Sequence, residues 1–311
     1  MTVSVPDSIR SSIRNRAMVA GLVFILLSLP FVEAGGRALL VVPVVGAATA
    51  AYILRARHRQ GSRLRAVLRG LPPECAGFLS ATPGFYSSLE GDSRRRFEDL
   101  ASLFLHDHPI SGVDGVRITP AIRMMIASSA VRLILERPEW EYPDFGEVLV
   151  YPGEFSDDGT FSTDMRHSDY RVAGMAHSRG GAVIISLPHL MRGFEGRDGG
   201  NVAIHEFAHV LDGLPWADGV PDALPAGKVR PWTETMRAEF EKVREGRSVL
   251  RDYAGTNPAE LFAVAVEVFF ERPRLLRSRE PRLYDLLKDF FGQDPAGQEP
   301  PEEPPAPDPS P

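Results

Sequence analysis

The feature that most constrains the fold of this chain is the stretch Val202–Leu211, which contains the pattern His-Glu-x-x-His among uncharged residues. On an α-helix, His205 and His209 lie one turn apart on the same face, so both imidazoles can bind one ion. Two imidazoles at that spacing suit Zn²⁺, and Glu206 can then act as general base on a zinc-bound water. The absence of other ionisable groups is typical of a buried helix, in which three such side chains need partners. The pattern therefore predicts a site for one Zn²⁺ ion.

A catalytic zinc site takes three protein ligands and leaves one position for water, so a third ligand must come from elsewhere in the chain. The segment 259–270 predicts an apolar helix whose only ionisable residues are Glu260 and Glu267. They lie about two turns apart and share a face. Glu260 is the predicted third ligand, and Glu267 is predicted either to pair with a liganding imidazole or to be a buried structural acid. Asp212 is either another such partner or a turn residue at the helix end.

The charge of the chain is unevenly distributed. Residues 1–62 hold seven arginines and two acidic residues, a balance of +5, so the remainder holds 28 basic and 39 acidic residues, a balance of −11. An acidic body argues against nucleic acid as the main partner. The single cysteine, Cys75, excludes an internal disulfide and fits a reducing compartment.

Two uncharged apolar runs, 17–32 and 38–54, are separated by a short polar turn and flanked by arginines. Each is slightly shorter than the roughly 20 residues that cross a bilayer, and turn residues or local thinning can cover the difference. They predict a transmembrane hairpin within residues 1–60, with helices at about 17–34 and 38–54. The positive-inside rule then places both ends, and the catalytic domain, on the cytoplasmic side of the inner membrane. The alternatives are a re-entrant hairpin, a cleaved signal peptide and a pair of buried core helices.

Residues 61–293 predict one α+β domain that is mostly helical and has a small sheet. The predicted strands are 148–151 and 182–186, and the later helices are 119–135, 233–247, 259–270 and 275–291, with a long loop over 214–231. The strand 182–186 is either an exposed edge that pairs with extended substrate or an ordinary core strand. The tail 294–311 is rich in Pro and Glu and is predicted to be disordered.

Several separated motifs occur in order along the chain, namely Val150–Gly153, the glycine-led strand that ends at Ser186, His205–Asp212, Asn257–Val264 and Glu267–Pro273. Together they resemble the Mlc titration factor A family of zinc peptidases over roughly residues 70–295. The resemblance implies a zincin fold similar to the catalytic domain of anthrax lethal factor. It also implies His205, His209 and Glu260 as metal ligands and Glu206 as general base.

Tyr253 precedes Glu260 by seven residues, and composition alone leaves open whether its phenol reaches the metal. The resemblance implies that Tyr253 stabilises the oxyanion of a tetrahedral intermediate. The chain departs from the family at Leu187, where a tryptophan is expected. The predicted membrane hairpin is also absent from the best-known soluble member.

These observations predict a zinc-dependent peptidase that acts on a peptide or protein substrate. The alternative is a membrane-tethered regulator that binds and sequesters a protein partner, such as a transcriptional repressor. A purely structural zinc site is disfavoured, because such sites fill their fourth position with Cys or His.

Overall fold

The computed structural model describes residues 41–143, 145–155, 161–162, 182–195, 200–213 and 217–298. These residues divide into two compact units. The first unit contains the described residues up to Ser111 together with Arg117–Glu147. The second contains Gly112–Val116 and the described residues from Val148 onward.

The first unit consists mainly of helices. They are α1 (Val41–Arg69), α2 (Pro73–Ala81), α3 (Phe85–Ser88), α4 (Gly91–Asp107) and α5 (Pro120–Ile134). Phe97 of α4 and Ile126 of α5 are fully buried, and these two helices pack together. Helix α5 begins where the Thr119 side chain accepts a hydrogen bond from the Ile122 N–H. The predicted helix 119–135 is confirmed.

Helix α1 covers the part of the predicted membrane hairpin that the structure describes. It does not end at residue 54 but continues through Arg55, Arg57 and Arg59 to Arg69. Within the described ranges, none of the helices combines the length and the apolar character needed to span a bilayer. The predicted helix 17–34 lies outside the described residues.

The small sheet has the strand order β1-β2-β5, and β2 and β5 lie in the second unit. The strands are β1 (Ile110–Gly112), β2 (Val148–Tyr151) and β5 (Val183–Ser186), while β3 (Glu154–Phe155) and β4 (Phe161–Ser162) form a separate antiparallel pair. Strand β2 runs parallel to β5, with Val148 opposite Val183 and Tyr151 opposite Ser186. Both predicted strands are therefore confirmed, and β5 ends the strand order in the part of the chain that the structure describes.

Helices make up most of the second unit, and two of them are buried along most of their length. The helices of this unit are α6 (Leu187–Glu195), α7 (Val202–Leu211), α8 (Val229–Arg244), α9 (Pro258–Glu271), α10 (Pro273–Arg279), α11 (Pro281–Phe291) and α12 (Pro295–Gln298). Every residue of α7 is buried, and so is α9 from Glu260 to Phe270. These two helices pack against each other, and β5 also packs on α7.

Helix α8 differs from the prediction at both ends. It begins at Val229, inside the predicted loop, and ends at Arg244 rather than at residue 247. Pro231 does not prevent the early start, because N–H groups in the first turn have no intrahelical partner. Gly246 has a φ of 66°, a left-handed conformation that is common just beyond a helix end.

The predicted single helix 275–291 is wrong, because the structure has two helices there. Glu280 has φ −128° and ψ 62°, outside the helical region, and separates α10 from α11. The residue before a proline is sterically disfavoured in the α conformation, so Pro281 accounts for the break.

The end of the second unit extends into the segment predicted as a disordered tail. Asp294 accepts hydrogen bonds from the Tyr284 hydroxyl at 2.5 Å and from Lys288 Nζ at 2.6 Å. The short helix α12 follows. Residues 299–311 lie outside the described residues.

Candidate metal centre

Helix α7 presents His205 and His209 on one face. Asn201 is its N-cap, and the Asn201 side chain accepts a hydrogen bond from the Ile204 N–H at 3.1 Å. This bond satisfies one of the N–H groups that every helix start leaves without an intrahelical partner. The imidazoles of His205 and His209 stack edge to face, with their centroids 4.8 Å apart.

Helix α9 brings Glu260 close to the two histidines, and this helix also begins at an asparagine N-cap. Asn257 is the N-cap, and its side chain accepts a hydrogen bond from the Glu260 N–H at 2.9 Å. Pro258 occupies the first turn, where its fixed φ suits a helix and no donor is lost. A carboxylate in the first turn also interacts favourably with the helix dipole.

The three side chains converge through one atom each. The distance between the Nε2 atoms of His205 and His209 is 3.2 Å. Glu260 Oε2 lies 3.1 Å from Nε2 of His205 and 3.5 Å from Nε2 of His209. Ligand atoms held 2.0–2.1 Å from a tetrahedral zinc ion lie roughly 3.3 Å apart. The donor set therefore fits a metal ion, and it is the group with this property among the described residues.

The charges around these atoms also favour a cation. Burial by itself would raise the pKa of Glu260, but hydrogen bonds from His205 and His209 hold it well below its usual range. Burial would lower the pKa of His205, but Glu267 and Glu260 raise it to about 10. A metal ion binding here competes with a proton on the His205 Nε2 atom, because a liganding imidazole must be deprotonated at the bonding nitrogen.

Glu267 lies behind His205, two turns along α9 from Glu260. Its Oε1 atom is 2.6 Å from His205 Nδ1, and its Oε2 atom accepts a hydrogen bond from the Asn201 N–H at 2.8 Å. An imidazole that donates from Nδ1 to a carboxylate presents Nε2 to a metal. The two predicted roles for Glu267 are partner of a liganding imidazole and buried structural acid. The structure shows the contact with the imidazole.

Arg251 completes this network, although the sequence did not predict a role for it. Its Nη1 and Nη2 atoms donate to Glu267 Oε2 at 3.1 Å and to Oε1 at 2.5 Å. Arg251 stands in a stretch without helical or strand periodicity. No pattern in the sequence therefore predicts that it is partly buried and pairs with a carboxylate.

Glu206 is fully buried next to His205 on α7. Burial is the main reason that its pKa is raised to about 8, with a smaller contribution from Glu260 and an opposing one from His205. A carboxyl group whose pKa lies near neutrality is suited to accept and return a proton. The charges of His205 and Glu260 act on this pKa, so the Glu206 carboxyl group lies within electrostatic range of the candidate metal ligands.

Tyr253 lies on the 3₁₀ turn Asp252–Gly255, which packs against α9. Its ring centroid is 6.2 Å from that of His205. Burial and the nearby Glu260 carboxylate, to which the phenol is hydrogen-bonded, raise the pKa of Tyr253. The phenol therefore remains protonated at neutral pH and can donate a hydrogen bond.

Asp212 ends helix α7 and contacts a different part of the chain. Its Oδ2 atom accepts a hydrogen bond from the Gly219 N–H at 2.8 Å. The carbonyl of Gly219 accepts in turn from Trp232 Nε1 at 2.6 Å. Of the two predicted roles, the helix-end role agrees with these contacts. The imidazole partner in the described site is Glu267.

Comparisons with known proteins show which family the chain resembles. The sequence profile of the family described as glucose-regulated metallo-peptidase M90 matches residues 55–292. An uncharacterized protein of Synechocystis sp. is 31% identical over 237 residues, which are 73% of this chain and 86% of that protein. A protein named Mlc titration factor A from Klebsiella pneumoniae (strain 342) is 32% identical over 219 residues, which are 67% of this chain and 82% of that protein.

A second protein named Mlc titration factor A, from Escherichia fergusonii, is 31% identical over 221 residues, with 67% of this chain and 82% of that protein covered. The resemblance seen in the separated motifs is therefore confirmed over most of the chain. The profile match includes the helices that carry His205, His209 and Glu260. The chain belongs to the glucose-regulated metallo-peptidase M90 family.

Proposed function

We propose that this protein is a zinc-dependent peptidase that hydrolyses peptide bonds, with His205, His209 and Glu260 as the metal ligands. The observation that carries this proposal is the convergence of one atom from each of these side chains within 3.1 to 3.5 Å. Two neutral imidazoles and one carboxylate form a typical ligand set of catalytic zinc, which keeps a position for water.

The buried Glu206 is the proposed general base. When bound, zinc supplies Lewis-acid chemistry by lowering the pKa of a water and polarising a carbonyl group. Glu206 accepts the proton of the attacking water on a carboxylate oxygen, while the water oxygen bonds to the carbonyl carbon. It then delivers that proton to the amine nitrogen as the C–N bond breaks. Its complete burial favours this transfer, because a carboxylate in a dry site binds a proton more tightly than one in water.

Tyr253 and β5 have supporting roles in the proposal. The Tyr253 phenol donates a hydrogen bond to the carbonyl oxygen as that atom gains negative charge. Strand β5 packs on α7 and stands last in the described strand order. An extended substrate can therefore pair with its backbone and lie along the metal centre.

We also propose that this activity lies at the cytoplasmic face of the inner membrane. The two apolar runs at 17–32 and 38–54 and the arginines on both sides of them support a membrane hairpin. We expect the full chain to stay with the membrane fraction after a high-salt wash. Release into the soluble fraction would contradict membrane insertion.

A second candidate function is the binding of a regulatory protein. It is favoured by the name Mlc titration factor A, which several relatives carry. In this case the chain would sequester a repressor at the membrane, and the metal centre would modulate that binding.

Cleavage of a peptide library by the full chain separates the two candidates. The chelator-treated protein is compared with the same protein after addition of one equivalent of zinc, and binding of purified Mlc is measured in parallel. Cleavage that requires zinc supports the peptidase. A protein that binds one zinc ion, cleaves no peptide and binds Mlc would overturn the peptidase proposal in favour of the regulator.

A further inference from the structure

Arg251 makes a two-pronged contact with a buried carboxylate. The guanidinium donates from Nη1 to Glu267 Oε2 and from Nη2 to Glu267 Oε1. The Glu267 side chain is inaccessible to solvent, whereas that of Arg251 is 27% exposed. Such a parallel pair of charge-assisted bonds fixes the plane of the carboxylate as well as its position.

The orientation of that plane matters for His205. Oε1 of Glu267 is also the partner of His205 Nδ1, and Oε2 also accepts from the Asn201 N–H at the start of α7. Each oxygen of Glu267 therefore has one contact to α7 or its cap and one contact to Arg251. Without the guanidinium, each oxygen of Glu267 keeps only one of its two partners, so the carboxylate and the His205 ring that it contacts are held less firmly.

Arg251 also lies directly before the 3₁₀ turn that carries Tyr253. Its guanidinium carbon is 5.9 Å from the centre of the Tyr253 ring. The same side chain therefore contacts the carboxylate behind one proposed ligand and lies over the ring of the proposed oxyanion donor.

We propose that Arg251 is a positioning residue of the metal centre, which fixes the ring of His205 through Glu267 and holds the turn of Tyr253 against it. This inference rests on the proposed function in taking His205 as a ligand and Tyr253 as a donor. Arg251 touches neither substrate nor metal. Its effect passes through Glu267 and Tyr253 and through its own Nη2 atom, which lies 3.5 Å from His205 Nδ1.

The first test is the zinc affinity of the full chain, measured by competition with a chromophoric chelator. Replacing Arg251→Met should weaken zinc binding by about 10- to 100-fold, the usual cost of losing a partner behind a liganding histidine. Replacing Arg251→Lys should cause a smaller loss, because an ammonium is a point charge without the planar fork. Arg247→Met is the matched control, since Arg247 is exposed and contacts Glu245 instead.

Circular dichroism of the metal-free proteins shows which variants are folded. If the Met variant does not fold, the Lys variant decides the test. Visible absorption of the Co²⁺-loaded proteins reports the ligand geometry independently of activity and should change with Arg251→Lys but not with Arg247→Met. Zinc affinities and Co²⁺ spectra equal to those of the wild type in the folded Arg251 variants would overturn the proposal.

A double-mutant cycle tests the link to Tyr253. If Arg251 holds Tyr253 in place, Arg251→Met should reduce kcat by a smaller factor in a Tyr253→Phe background than in the wild type. Equal factors in both backgrounds would refute the anchoring of Tyr253. If the proposed function is wrong, the result is different: the wild type shows no zinc-dependent cleavage. In that case, the zinc affinities still decide whether Arg251 positions His205.

Discussion

The carboxylate of Asp212 accepts a hydrogen bond from the Gly219 N–H at 2.8 Å, which ties the end of α7 to the loop before α8. Asp212 is almost completely buried. Burial is the main cause that raises its pKa to about 7, and Asp218 and Asp222 add to the effect. Below about pH 7, the neutral form of Asp212 is therefore preferred in the folded protein.

This preference predicts a pH-dependent loss of stability that Asp212→Asn should remove. Between the unfolded pKa near 4 and the folded value of about 7, the folded protein retains a proton that the unfolded chain has lost. The free energy of unfolding contributed by Asp212 therefore falls as the pH rises through this window. We expect Asp212→Asn to be more stable than wild type by about 4 kcal/mol at pH 8 and by only about 1 kcal/mol at pH 4.5.

The measurement is urea unfolding of both proteins at the two pH values, with a chelator present so that metal occupancy stays constant. An equal difference at both pH values would show that the charge of Asp212 is not responsible.

Gly219 is predicted to tolerate no side chain. It has a φ of 81°, and a Cβ atom would lie 2.6 Å from the carbonyl oxygen of Pro258, at the start of α9. Gly219→Ala should therefore destabilise the protein by about 2 to 4 kcal/mol through backbone strain and overpacking. Gly227→Ala is the matched control, because a Cβ atom there meets nothing within 4 Å. Equal unfolding midpoints for the two variants would contradict the close approach of Gly219 to α9.

The two acids of α9 are expected to differ in their effect on metal content. Glu260→Ala removes a proposed ligand and should release zinc, whereas Glu267→Gln keeps all three ligands and should weaken binding by about 10- to 100-fold. Glu234→Gln, at an exposed pair with Arg230, should leave the zinc content unchanged. Metal analysis after dialysis checks all three. Loss of zinc from Glu267→Gln together with full retention by Glu260→Ala would reverse the assignment.

Tyr253→Phe should affect turnover more than binding. Removing one donor to an oxyanion lowers kcat by about 10²- to 10³-fold, while the zinc content and KM should stay close to wild type, because the ring remains. Tyr52→Phe, on the exposed face of α1, is the control. Steady-state kinetics on one library peptide measures both constants, and an unchanged kcat would exclude Tyr253 from the oxyanion role.

The parts of the site that depend on local periodicity could be predicted from the sequence. His205 and His209 share a face because they are four residues apart on one helix, and that geometry needs no tertiary information. Glu260 is recognisable because a carboxylate in an apolar helix requires a partner. The structure brings these three residues together.

The parts that depend on contacts between distant segments could not be predicted. The choice of Glu267 rather than Asp212 as the partner of His205 is set by the packing of α9 on α7. Arg251 reaches Glu267 from a turn that has no periodic pattern. The helix break at Pro281 is different, because it follows from a local steric rule and could have been predicted.

The role of Glu206 can be measured most directly with the variant Glu206→Gln, loaded with one equivalent of zinc and assayed on the peptide that the wild type cleaves fastest. The amide has nearly the same shape as the carboxylate but cannot accept the proton. We expect zinc content equal to that of the wild type and turnover reduced by about 10²- to 10⁴-fold. Turnover equal to that of the wild type, in a preparation free of other peptidases, would contradict the proposed general base and with it the peptidase mechanism.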